Sequence, residues 1–116
     1  MQIGHQILYF IYSNKNPVKD FIDSLDKKQK SKVFGIFQLV EEYGIFSVPQ
    51  HIKKIKGTPF WEIRILGKDN IRLIFILDKS SLIIFHGFIK KTQKTPQLEL
   101  KLTFTRFTKW KTNLDK

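Results

Sequence analysis

Apolar side chains recur along this chain with changing period, and the changes divide it into elements. Ile7 to Tyr12 is apolar on both faces and rich in aromatic and β-branched residues, the pattern of a strand covered on two sides. Asn16-Pro17 then supplies an N-cap and a proline at the first helical position, and Val18, Phe21, Ile22 and Leu25 follow at helical spacing. A second helix is predicted from about Lys28 to Tyr43. There Val33, Phe34, Ile36, Phe37, Leu39, Val40 and Tyr43 form a broad apolar stripe, and Gly44 is placed to end it. Two such helices predict an antiparallel hairpin.

Beyond a turn-like link at Val48-Pro49 the period drops to two. Trp61, Ile63 and Ile65 alternate with Glu62 and Arg64, so the apolar set faces a core and the charged set faces outward. Gly67-Lys68-Asp69-Asn70 reads as a turn into a strand Ile71 to Leu77, and Asp78-Lys79-Ser80-Ser81 as a turn into a strand Leu82 to Ile89, a β-meander. The terminal segment is ambiguous. Leu98, Leu100, Leu102 and Phe104 alternate as in a strand, whereas Thr95-Pro96 resembles a helix start and Leu100, Phe104 and Phe107 fit helical spacing. The order predicts an α+β fold: a small, mostly antiparallel sheet with an N-terminal helical hairpin packed on one face. The other face would carry Glu62, Arg64 and Arg72, free for function.

Composition narrows the picture. A chain of 116 residues supports one domain, residues 1–116, and 41% hydrophobic residues place it among folded proteins. Cysteine is absent, which removes disulfides, thiolate metal sites and a thiol nucleophile. The opening MQIGHQILYFIY lacks the basic start and small-residue cleavage site of a signal peptide, and Leu82 to Ile89 is too short to span a bilayer, so a cytoplasmic protein without membrane contact is expected. The formal net charge is +11. It is concentrated: six Lys/Arg stand against five Asp/Glu up to Ile52, and fifteen against five from Lys53 onward. Such a field attracts polyanions, nucleic acid or an acidic lipid surface alike.

Two stretches carry a resemblance: Ile55-Lys56-Gly57-Thr58-Pro59-Phe60-Trp61-Glu62-Ile63-Arg64, and His86-Gly87-Phe88-Ile89-Lys90-Lys91-Thr92-Gln93-Lys94-Thr95-Pro96. With Asn70-Ile71-Arg72-Leu73-Ile74-Phe75 between them, they resemble the phage-derived, HigB-type branch of the RelE/ParE toxins over roughly residues 30 to 110. The resemblance implies a RelE-like fold, and with it a C-terminal helix. It implies a type II toxin that cuts mRNA on the ribosome without metal or cofactor, by attack of a ribose 2′-hydroxyl on the adjacent phosphate. The implied partners are ribosome and mRNA, and a cognate HigA-like helix-turn-helix antitoxin through which alone operator DNA is reached. The chain departs from the family pattern at Ile71, where relatives often carry tyrosine, and in its threonine- and aromatic-rich terminal segment.

That reaction needs a cation for the phosphorane, an acceptor for the 2′-hydroxyl proton and a donor to the leaving oxygen. Arg64 and Arg72, on successive strands, suit the first task through their bidentate forks, and relatives place basic residues at both positions. The ordinary alternative is a cross-strand pair of surface charges. Glu62 shares the face of Arg64 and could accept a proton or only orient the arginine. His86 titrates in the useful range, yet with Leu82, Ile84 and Phe88 on its alternation it could equally be a core-edge histidine. Lys90 or Lys91 could donate to the leaving oxygen or hold the phosphate, Lys90 being preferred. Lys53, Lys54, Lys56, Lys91 and Lys94 would track an RNA backbone, or the first three could be lysines guarding an edge strand. Tyr9, Tyr12, Tyr43, Trp61 and Trp110 are assigned to the core rather than to base stacking. Two other readings stay open: a ParE-like inhibitor of DNA gyrase, and a non-catalytic nucleic-acid-binding module.

Overall fold

In the computed structural model, residues 4–65, 67, 70–91 and 96–114 are described. Strand β1 (Gln6–Tyr9) leads into helices α1 (Pro17–Asp23) and α2 (Lys27–Tyr43), two short 3-10 turns (Ile45–Ser47 and Pro49–His51), and strands β2 (Ile52–Lys54), β3 (Trp61–Ile65), β4 (Ile71–Asp78) and β5 (Ser81–Ile89); helix α3 (Gln97–Leu114) closes the chain.

The helix boundaries follow from local chemistry. The Asn16 side chain accepts from the Lys19 N–H at 3.1 Å, and Pro17 begins α1 where no N–H is needed. Asp26 and Gln29 form a reciprocal capping box at the head of α2, with bonds of 2.7 and 2.9 Å. Gly44 ends α2 at φ 89°, a conformation that L side chains resist.

The sheet order is β1-β5-β4-β3-β2. It is mixed rather than simply antiparallel: β1 runs parallel to β5, while the β5–β4, β4–β3 and β3–β2 pairings are antiparallel. A parallel pairing needs a long crossover, which α1, α2 and the meander supply. The two helices therefore lie inside a crossover instead of opening the chain, and their nearest backbone neighbours are β5, β1 and the following turn rather than one another. The expected two-sided cover of the first strand is also absent. β1 is an edge strand with Leu8 half exposed, and Ile11 and Tyr12 beyond it are exposed. Burial of its remaining apolar side chains is shared between the two sheet faces.

Each face of the sheet has its own core. Ile63, Ile65, Ile71, Leu73, Phe75, Leu82 and Ile84 pack beneath Val18, Ile22 and Leu25 of the α1 region and Val33, Ile36, Phe37 and Val40 of α2. Gly87 lies on this side, where a Cβ would come within 2.4 Å of the Phe21 ring; glycine is what lets α1 approach β5. On the opposite face Phe60, Ile74, Ile76, Ile83, Phe85 and Phe88 pack with Leu100, Phe107 and Trp110 of α3. The face expected to be free is thus partly roofed by the terminal helix.

That terminal segment is helical despite its period-two alternation. Its aromatic residues gather at helical spacing over Phe60 and Phe85, with ring centroids 4.8 Å apart for Phe60 and Phe104 and 5.7 Å for Phe85 and Trp110. The hydroxyls of Thr103, Thr105 and Thr112 donate to the carbonyls four residues earlier, so threonine is accommodated within the helix.

Candidate active site

Antiparallel register fixes which side chains share a face. Lys53 lies opposite Glu62, Glu62 opposite Ile74, and Ile74 opposite His86, a row running across four strands. The adjacent row is Arg64, Arg72 and Phe88. Lys90 follows Phe88 by two residues and so falls on the same side, its N–H bonded to the Asn70 carbonyl at 2.9 Å. Arg64, Arg72, Lys90 and Lys53 thereby surround a single carboxylate, Glu62.

The carboxylate was expected to face outward; it is buried, with 3% of its surface exposed, between the paired strands β2 and β4 that place Lys53 and Ile74 on either side of it. Arg72 is 6% exposed. Its Nε stands 4.0 Å from the nearer Glu62 oxygen, a long ion pair, and its Nη1 donates to the Ile71 carbonyl at 3.1 Å. Arg72 Nε, Arg64 Nε and Glu62 Oε2 are buried atoms without a hydrogen-bond partner among the described residues. Unpaired buried donors of this kind are costly, and an incoming anion would satisfy them.

Electrostatics follow the crowding. Burial first, and then the Arg72 guanidinium, hold the Lys90 ammonium below the ordinary lysine value; Lys53 and Arg64 act in the same sense, and Glu62 opposes them. Burial likewise lowers Arg72, with Glu62 opposing, although a guanidinium stays charged at neutral pH. A cleft of about 440 Å³, lined by Lys53, Lys54, Ile55, Lys56 and Glu62, opens beside this cluster.

The remaining residues singled out from the sequence separate by position. Lys53 and Lys56 are exposed at the cleft. Lys54 also borders the cleft, but it pairs with Trp61 in the sheet, places its ammonium 5.9 Å from that indole and donates to the Thr58 carbonyl, so its ammonium is turned toward the opposite face. Lys91 is exposed just past β5, and Lys94 lies outside the described residues. His86 reaches this face through a β-bulge between Ile74 and Phe75 that breaks its alternation with Leu82 and Ile84. Its Nε2 donates to Glu99 at 3.1 Å and its Nδ1 accepts from Arg106 at 3.1 Å, while Arg106 also donates to the Phe85 carbonyl at 2.8 Å. Burial lowers its proton affinity, the Glu99 bond opposing. His86 is thus a neutral clasp between β5 and α3, with both ring nitrogens engaged.

A family model for the phage-derived protein Gp49-like family (DUF891) matches residues 20–108. The chain belongs to this family. Gp49-like proteins are of the toxin–antitoxin toxin type, related to RelE and HigB, in keeping with the resemblance seen in the two motif stretches. The Gp49-like match takes in the whole basic cluster, from Lys53 to Lys90, together with the α3 residues that clasp His86. No curated protein sequence matches the chain.

Sequence reasoning missed Glu99 and Arg106, whose only signal was their charge within a stretch of apolar residues, threonines and lysines. It also missed His51, whose Nδ1 donates to the Arg64 carbonyl at 2.8 Å and braces the backbone that carries that arginine.

Proposed function

We propose that this protein is the toxin of a type II toxin–antitoxin pair and cleaves mRNA on the ribosome, by attack of a ribose 2′-hydroxyl on the adjacent phosphate. The observation that carries the reading is the cluster of Arg64, Arg72 and Lys90, in which the buried Nε of each arginine has no hydrogen-bond partner among the described residues. In the reaction an O2′–P bond forms and the P–O5′ bond breaks, leaving a 2′,3′-cyclic phosphate and a 5′-hydroxyl end. Arg64 and Arg72 stabilise the phosphorane charge. Lys90, its proton affinity lowered, donates the proton to O5′. Glu62 accepts the 2′-hydroxyl proton or holds Arg72 in place. His86 acts at a distance, by fixing α3 beside the site.

Among the described residues the site is a cluster of cations beside an open cleft of about 440 Å³, so orientation of the mRNA is assigned to the ribosome. A helix-turn-helix antitoxin of HigA type is the proposed resting partner and the only route to operator DNA. Purified protein should cut ribosome-bound mRNA well and naked RNA poorly, with cleavage unaffected by chelator at fixed ionic strength. Arg72→Lys should lower that rate by at least about tenfold while ribosome affinity changes little, since charge is kept and only the fork is lost. Equal cleavage of both substrates, or a wild-type rate for a folded Arg72→Lys protein, would overturn the reading.

A further inference from the structure

The outer face of α2 has a charge pattern that a lone helix does not favour. Exposed lysines occupy its N-terminal half (Lys27, Lys28, Lys32) and exposed glutamates its C-terminal end (Glu41, Glu42), with no acidic residue in the first turn and no basic one in the last. Both groups oppose the helix dipole, which stabilises anions at the N-terminus and cations at the C-terminus. Among the described residues no ion pair engages Lys27, Lys28, Glu41 or Glu42, and all four are exposed.

Between the charged ends the same face is cut for close approach. Lys28, Ser31, Gly35, Gln38 and Glu42 follow one another at alternating steps of three and four, all exposed, and so form a single line opposite the buried Val33, Ile36, Phe37 and Val40. A Cβ on Gly35 would meet nothing within 4 Å, so the glycine at the centre of this line serves no packing need inside the chain. Large apolar side chains flank it, Phe34 at 48% exposed on one side and Leu39 at 42% on the other.

We propose that α2 is a self-association surface whose occupant is α2 of a second copy of this chain, antiparallel and crossing at Gly35. A two-fold axis there brings Glu42 level with Lys28 of the second copy and Glu41 beside Lys27 of the second copy, and symmetry repeats both pairs. Phe34 meets its own counterpart across the axis. The charges that oppose the dipole of each helix are then matched by the neighbour, and the two antiparallel dipoles are favourably aligned. The face of one 17-residue helix is small for a stable interface, so the association is weak and concentration-dependent, and salt should loosen it.

Sedimentation equilibrium of the full chain tests this. Wild-type protein should show a monomer–dimer equilibrium that shifts toward monomer as ionic strength rises from about 0.05 M to about 0.5 M. The double variants Lys27→Glu/Lys28→Glu and Glu41→Lys/Glu42→Lys should each weaken dimerisation by at least about tenfold, and an equimolar mixture of the two should recover it as a heterodimer. Carrying all four substitutions in one chain should restore self-association, and because it also suits the helix dipole it cannot fail for want of a folded α2. Gly35→Gln, which has room in the monomer, should block association without lowering the melting temperature. A monomer at every concentration, or a dimer indifferent to these charges and to Gly35→Gln, would overturn the proposal.

Discussion

Lys90 and the lysines of β2 show how far a single residue's position decides its role. An ammonium whose affinity for protons is lowered by burial and by Arg72 is a better donor, and it is lost as a donor when deprotonated. Cleavage should therefore fall on the alkaline side at a pH below the ordinary lysine value of 10.5, and Lys90→Arg should lower the rate and remove that limb from the pH–rate profile. Persistence of the limb at the same pH would assign the donor elsewhere. Lys53 and Lys54 separate by register. Lys53→Ala should weaken ribosome binding and reduce its logarithmic salt slope by about one, whereas Lys54→Ala, turned toward Trp61, should leave both close to wild type. Salt-titrated binding of the two variants decides, and equal effects would mean that the face assignment is wrong. Sequence grouped these lysines because β2 has only three residues and too short an alternation to read. The pairing of Arg64 with Arg72, in contrast, was legible, since both flank apolar positions on longer strands.

At the level of elements, capping residues made α1 and α2 legible, and alternation did the same for β3. The parallel β1–β5 pairing was not, because edge placement depends on a crossover that local pattern does not encode. Nor was the position of α3, whose aromatic side chains find their partners in Phe60 and Phe85, distant in sequence. The His86 clasp ties that helix down. With its proton affinity lowered in the folded state, the unfolded chain takes up the proton first. The contribution of His86 is fully present above its ordinary value of 6.5 and is lost as pH falls through the lower folded value. Protonation would also set His86 against Arg106, 3.1 Å away. Thermal melts should show the wild-type protein losing stability between about pH 7 and pH 5 more steeply than His86→Gln, which cannot titrate. Parallel curves for the two proteins would remove His86 from the pH response.

Over the whole molecule, charge and topology point the same way. Nearly all the net charge of +11 arises from Lys53 onward, and β2, β3, β4 and β5 collect Lys53, Arg64, Arg72 and Lys90 on one sheet face, while α1 and α2 occupy the other. A basic face of this kind meets ribosomal RNA readily in the cell, where an unopposed nuclease would arrest translation. Brief induction of the chain alone should stop growth, and primer extension on a reporter mRNA should find breaks within translated sequence. Under the proposed mechanism Arg72→Ala should relieve the arrest and abolish the breaks even though most of the basic face is intact, because that mechanism assigns the lost guanidinium to the transition state and the remaining lysines to binding. A gyrase inhibitor of the same fold would give a different result, growth arrest with intact mRNA and induced DNA damage. Unimpaired growth at a high level of folded wild-type protein would exclude a toxin altogether, whereas arrest that survives Arg72→Ala would keep the toxin and move its action away from this face.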